Sequence, residues 1–237
     1  MRMLVSVRDV PEALLAAHGG ADFIDLKEPR DGALGGLPIA TITAIVAALR
    51  ELRARHAGLL ISATIGDLPM HDRAAILARV EAVAACGVDY VKVGIERAPQ
   101  AAAVLDALAG TGHAIVPVFI ADRGLDAAHV DLACALKFPA LMVDTADKRA
   151  GSLFELIAAT ELERFVAQVR AGGALVGLAG ALRLPHLAAL HRLAPDFAGF
   201  RSAVCAGDRS GALDPERLLA LKDSLRSLSR PGGRGLG

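Results

Sequence analysis

The sequence carries no net charge, no cysteine pair at CxxC spacing and no apolar run approaching a membrane helix in length. Each absence removes a class of protein. Twenty-six basic side chains are matched by 26 acidic ones. A general nucleic-acid binder draws its affinity from counterion release by clustered Lys and Arg, and a balanced chain lacks that excess, although a local basic pocket for a small anion stays open. Cys86, Cys134 and Cys205 are odd in number and scattered. They fit reduced thiols in a cytoplasmic protein, neither a disulfide frame nor a zinc site. At the start, MRMLVSVRDVPEA is interrupted by Asp9 and Glu12 before it can serve as a signal peptide, and nothing nears the ~20 apolar residues of a membrane span. The histidines show no HxH or HExxH spacing, so no metal is expected. No GxGxxG follows the first apolar run, and no linker or internal repeat divides the chain.

What is present is an alternation. Short apolar, β-branched runs occupy 3–7, 23–27, 59–65, 90–95, 114–120, 140–145, 174–179 and 197–202. Between them lie Ala/Leu/Arg-rich stretches of helical character near 11–18, 39–55, 71–86, 97–109, 126–136, 153–171, 184–193 and 214–228. The second of these shows the 3.6 period in Ile42, Ile45, Val46 and Leu49, with Arg50 and Arg53 on its polar side. Pro11, Pro38 and Pro185 stand near helix starts, and glycines such as Gly58 and Gly87 near helix ends. Eight strand–helix units in a chain of this size predict a single α/β domain over 1–228, a (β/α)8 TIM barrel, with residues 229–237 as a flexible tail. An open doubly wound sheet is the competing arrangement.

In such a barrel the chemistry sits at the C-terminal ends of the strands. The second run ends in Asp25 and Lys27, two apart and so on one face. The third gives Ser62 and Thr64, the fourth Lys92, the fifth Asp122. The sixth ends in DTADK, with Asp144 and Lys148. Lysines are few beside the arginines, yet Lys27, Lys92 and Lys148 all fall at or near strand ends. A lysine in a desolvated site or beside other cations becomes a nucleophile that forms an imine with a carbonyl, which arginine cannot do. A lysine that packs its stem and wets its head is the plainer alternative for any one of them. Asp25 and Asp144 are candidate proton carriers. The last two units end in GLAGALR and GFRSAVC. There Gly177, Gly180, Ala181, Gly199, Arg201 and Ser202 are candidates to hold a phosphate, with Arg201 as a charged fork, and tight-turn sterics as the alternative. Cys205 reads as a small core thiol and Tyr90 as a packing residue.

Taken in order, GGADFIDLKEP, SATIGD, DYVKVGI, MVDTADK, GLAGALR and GFRSAVC resemble the (5-formylfuran-3-yl)methyl phosphate synthases of methanofuran biosynthesis, over roughly residues 3–212. The resemblance implies a (β/α)8 barrel related in mechanism to class I aldolases. It implies a carbon–oxygen lyase that condenses two glyceraldehyde 3-phosphate molecules into 4-(hydroxymethyl)-2-furancarboxaldehyde phosphate, with loss of phosphate and water. It implies no metal or organic cofactor, a small triose phosphate as the partner with neither nucleic acid nor membrane, and room for a homo-oligomer. The family's Schiff-base lysine matches Lys27; its other motif residues match Lys92, Asp144 and Lys148. Ala181 stands where relatives often carry Ser. Two alternatives stay open: another aldolase-type barrel lyase acting on a sugar phosphate, and a non-catalytic barrel that binds a phosphorylated metabolite.

Overall fold

Side-chain parity along eight short strands builds two apolar layers and one polar shaft. The computed structural model describes residues 1–32, 34–55, 58–147 and 150–229. Lys148 and the tail from residue 230 lie outside the described residues. The strands are β1 (Arg2–Val7), β2 (Phe23–Leu26), β3 (Leu60–Thr64), β4 (Tyr90–Ile95), β5 (Ile115–Ile120), β6 (Ala140–Asp144), β7 (Leu175–Leu178) and β8 (Phe197–Phe200). Each pairs in parallel with its neighbour in sequence, and β8 closes on β1, so the sheet is a closed barrel. The open doubly wound alternative is thereby excluded.

The helices are α1 (Val10–His18), α2 (Ile39–Arg55), α3 (Arg73–Ala84), α4 (Ala101–Ala109), α5 (Ala127–Ala135), α6 (Leu153–Leu156), α7 (Ala159–Ala171), α8 (Leu187–Leu193) and α9 (Pro215–Ser229). Two expectations shift. The single helix expected over 153–171 is two, because Ile157 and Ala158 are extended (ψ 131° and 138°). No Gly or Pro marks that break; it comes from tertiary anchoring, with Leu153 buried and its amide bonded to the Gly180 carbonyl. α4 starts at Ala101 rather than 97, since Pro99 disfavours helical backbone in the residue before it.

Alternation sorts the strand residues. Val5 and Val7, Ile24 and Leu26, Ile61 and Ala63, and Val91 and Val93 face outward, and with the inner faces of the helices they form the larger apolar cluster. Leu4, Phe23, Val116, Val118, Ala140, Met142 and Phe197 face inward and fill the barrel. Phe23 packs on Phe197 with ring centroids 5.1 Å apart and on Tyr90 at 6.4 Å, and the Arg2 guanidinium lies 4.6 Å over the Phe23 ring. The N-terminal end of the shaft is therefore plugged by hydrocarbon. The inward positions two residues further along β1, β2, β3 and β4 are Ser6, Asp25, Ser62 and Lys92, all buried. Apart from Arg2, which covers the Phe23 ring at the N-terminal end, these polar side chains enter the shaft toward its C-terminal end, where barrel sites lie.

Candidate active site

Asp25 sits deepest. Its Oδ1 accepts from the Ser62 hydroxyl at 2.6 Å and from Lys92 Nζ at 3.0 Å, and its Oδ2 accepts from the Ser6 hydroxyl at 3.1 Å. Burial alone would push this carboxyl up. The Lys92 and Lys27 ammonium groups and the Ser62 hydroxyl outweigh burial and hold it below the usual carboxylate range. Asp25 is therefore a fixed anion that anchors Lys92 from β4 against β1, β2 and β3.

Lys27 follows one step higher on the same face of the strand. It is 6% exposed, and its Nζ lies 3.3 Å from Asp144 Oδ2 at the end of β6. Asp144 is buried, and its Oδ1 accepts the Thr145 amide at 2.8 Å. Asp122, after β5, accepts the amides of Ala146 and Asp147 and so braces the loop that leaves Asp144. Lys27, Lys92, Asp25 and Asp144 converge on one cleft at the C-terminal mouth, with an open volume of about 490 Å³.

The expected anion loops divide. Gly180, Ala181, Gly199 and Ser202 line the cleft. Gly180 (φ +120°) and Ala181 (φ +46°) both take left-handed backbone, which turns the chain sharply in the cleft wall. Gly177 serves packing instead: it lies inside β7, and a Cβ there would meet the Phe197 ring at 2.3 Å. Arg201 needs a correction. It borders the cleft, but every N–H of its guanidinium is spent within the protein. Nε donates to the Arg209 carbonyl, Nη1 to the Ser6 carbonyl and Glu12 Oε2, and Nη2 to Glu12 Oε1 and the Gly211 carbonyl. A buried bidentate pair with Glu12 leaves no donor for a phosphate.

Three residues escaped the sequence reading. Ser6 follows the inward parity of β1 and was legible on that ground. Glu12 looks like an ordinary acid in the first turn of a helix capped by Asp9. Arg209 sits in an irregular loop without periodicity, yet its side chain lines the cleft. Cys205 is buried, which pushes its thiol up and suits a core residue. Among the described residues no group of His, Cys, Asp and Glu is placed to hold a metal ion, and no helix is long and apolar enough to cross a membrane.

The sequence profile of the 4-HFC-P synthase family matches residues 3–222, nearly the whole chain and every strand described above. The chain belongs to this family. A (5-formylfuran-3-yl)methyl phosphate synthase of Archaeoglobus fulgidus is 35% identical over 239 residues, covering 95% of this chain and 99% of that one. A Methylorubrum extorquens protein, provisionally given the same name, is 40% identical over 227 residues (95% and 92%). The Methanocaldococcus jannaschii synthase is 33% identical over 239 residues (94% and 99%). Membership makes the chain an enzyme, as its relatives are. Solved structures support the fold alone. Phosphoribosyl anthranilate isomerase of Thermus thermophilus superposes with TM-score 0.65 at 20% identity, covering 96% of this chain and all of that one. The 3-hexulose-6-phosphate synthase of Salmonella typhimurium superposes with TM-score 0.57 at 16% identity, with 96% and 100% coverage.

Proposed function

We propose that this 4-HFC-P synthase family member condenses two molecules of glyceraldehyde 3-phosphate into 4-(hydroxymethyl)-2-furancarboxaldehyde phosphate for methanofuran synthesis, through an imine on Lys27. The observation that carries the reading is the buried Lys27 ammonium, 3.3 Å from the Asp144 carboxylate and facing an open cleft.

To attack a carbonyl, Lys27 must give up a proton, and Asp144 is the adjacent acceptor. One triose phosphate, as the aldehyde or as its ketone isomer, condenses with the amine and releases water. The iminium draws electrons, so a proton leaves the carbon next to it and the resulting enamine expels phosphate, leaving a three-carbon unit whose terminal CH2 is the nucleophilic carbon of a new enamine or enol. That carbon attacks the central carbonyl carbon of the second triose in its ketone form, which sets the phosphorylated hydroxymethyl group at ring position 4. Ring closure and loss of water give the aromatic furan. The trioses equal the sum of furan, phosphate and water in oxidation level, so the chemistry needs neither oxidant nor reductant.

Lys92, fixed by Asp25, adds positive charge to the same cleft. Asp25 carries charge and not protons in this scheme, because its partners hold it ionised. Lys148, one residue beyond Asp147 in the DTADK motif, is proposed as a second cation of the site. The turns at Gly180–Ala181 and Gly199–Ser202 offer backbone N–H groups to the phosphate that is retained. Where relatives often carry Ser, Ala181 leaves that task to the backbone.

The test is product analysis. Glyceraldehyde 3-phosphate incubated with the protein should yield free phosphate and a furan chromophore in equal amounts. Carbon–carbon bond formation without phosphate release would point to an ordinary aldolase. Binding without turnover would leave a phosphometabolite-binding barrel.

A further inference from the structure

We infer that Arg209 binds the phosphoryl group of the triose that bonds to Lys27, and that the buried Arg201–Glu12 pair positions it. The inference rests on the function proposed above. Arg209 lines the same cleft as Lys27 and Asp144 but comes from the loop after β8. Its guanidinium has one hydrogen bond among the described residues, Nη2 to the Gly32 carbonyl at 3.3 Å, and no ion pair. A planar fork of five donors with one weak protein contact, at the wall of a cleft, is suited to a tetrahedral oxyanion. Arg201, eight residues earlier, is the opposite case, with all donors consumed.

The two arginines work in series. Arg201 Nε holds the Arg209 carbonyl at 2.8 Å, and its Nη2 holds the Gly211 carbonyl at 2.7 Å, so one guanidinium grips both flanks of the loop. Glu12, at the start of α1, orients that guanidinium through contacts of 2.6 and 3.1 Å. Arg8 adds a third tie, donating to the Ser210 carbonyl at 2.6 Å. The loop is thus fixed by its backbone while the Arg209 side chain is left to reach over the cleft toward Gly32. Charge favours the same ligand. Burial, with Arg201 beside it, weakens the Arg209 cation, and Asp144, Asp67 and Asp208 only partly offset this. A dianionic phosphoryl group would supply the counter-charge that no carboxylate among the described residues supplies by direct contact.

The experiment compares labelling of Lys27 by borohydride with glyceraldehyde 3-phosphate and with D-glyceraldehyde, which lacks the phosphate. It runs on wild type, Arg209→Gln, Arg209→Lys and Glu12→Gln, each checked for a cooperative melt. Wild type should favour the phosphorylated triose. That preference should fall about 10- to 100-fold in Arg209→Gln, the range expected for losing charge-assisted hydrogen bonds. It should fall less in Arg209→Lys, and measurably in Glu12→Gln, where a purely structural acid would lower only the melting temperature. Titration calorimetry with inorganic phosphate gives a readout independent of the reaction, and phosphate should bind Arg209→Gln at least 10-fold more weakly. An unchanged preference, or unchanged phosphate affinity, in Arg209→Gln would overturn the assignment. If no triose labels Lys27 in wild type, the proposed reaction fails, and phosphate affinity alone decides the role of Arg209.

Discussion

Lys27, at the end of β2, and Lys92, on β4, enter one shaft, and their carboxylate partners give them different work. Lys92 is locked by Asp25 at 3.0 Å deep in the barrel, whereas Lys27 meets Asp144 at 3.3 Å where the cleft opens. Lys27→Arg keeps the charge but removes the nucleophile. It should fold with wild-type stability to within about 1 kcal/mol and turn over at less than about 0.1% of the wild-type rate, since nucleophilic catalysis is lost outright. A steady-state phosphate-release assay checks this. Gly177→Ala tests the opposite kind of residue. With a Cβ forced against Phe197, it should cost about 1–3 kcal/mol in chemical denaturation, and imine formation in the folded fraction should stay near wild type. Loss of labelling without loss of stability would return Gly177 to the anion site.

The elements show how loops, rather than strands, set the precision of the site. The strands were legible because apolar, β-branched runs recur eight times, and parity then places Asp25, Lys27 and Lys92 on one inner face. Parity says nothing of loops. The roles of Asp122 and Glu12 depend on contacts 24 and 189 positions apart, and Arg209 meets Gly32 across 177. Arg201 misled for the same reason: its place after β8 was readable, but its partner on α1 was not. The break before α7 left no mark in composition either, because Leu153 is anchored by a carbonyl from the loop after β7. Asp122 offers a direct test at this scale. Asp122→Ala frees the Ala146 and Asp147 amides and loosens the loop behind Asp144. It should lower kcat about 10-fold or more with the melting temperature nearly intact. A kcat equal to wild type would show that the loop needs no brace.

The whole molecule stores part of its stability in the polar shaft. The folded barrel holds the Asp25 carboxyl below its ordinary value of 3.8, so the folded state binds its proton less readily than the unfolded chain does. Its stabilising contribution is therefore full above that value and is lost as pH falls through the lower, folded one. Asp25→Asn leaves the buried Lys92 ammonium without its anion and should cost about 3–5 kcal/mol at neutral pH. The gap between variant and wild type should narrow below about pH 4, as urea denaturation across pH would show. A gap constant with pH would mean that Asp25 is not held as an anion.

The central claim is that Lys27 forms a covalent imine with a triose phosphate, and trapping tests it most directly. The protein is incubated with glyceraldehyde 3-phosphate, reduced with borohydride, digested and mapped by mass spectrometry. A reduced triose adduct on Lys27, absent from Lys92 and accompanied by phosphate release, is the predicted result. Phosphate release and furan formation with Lys27 unlabelled, or an adduct on another lysine, would contradict it.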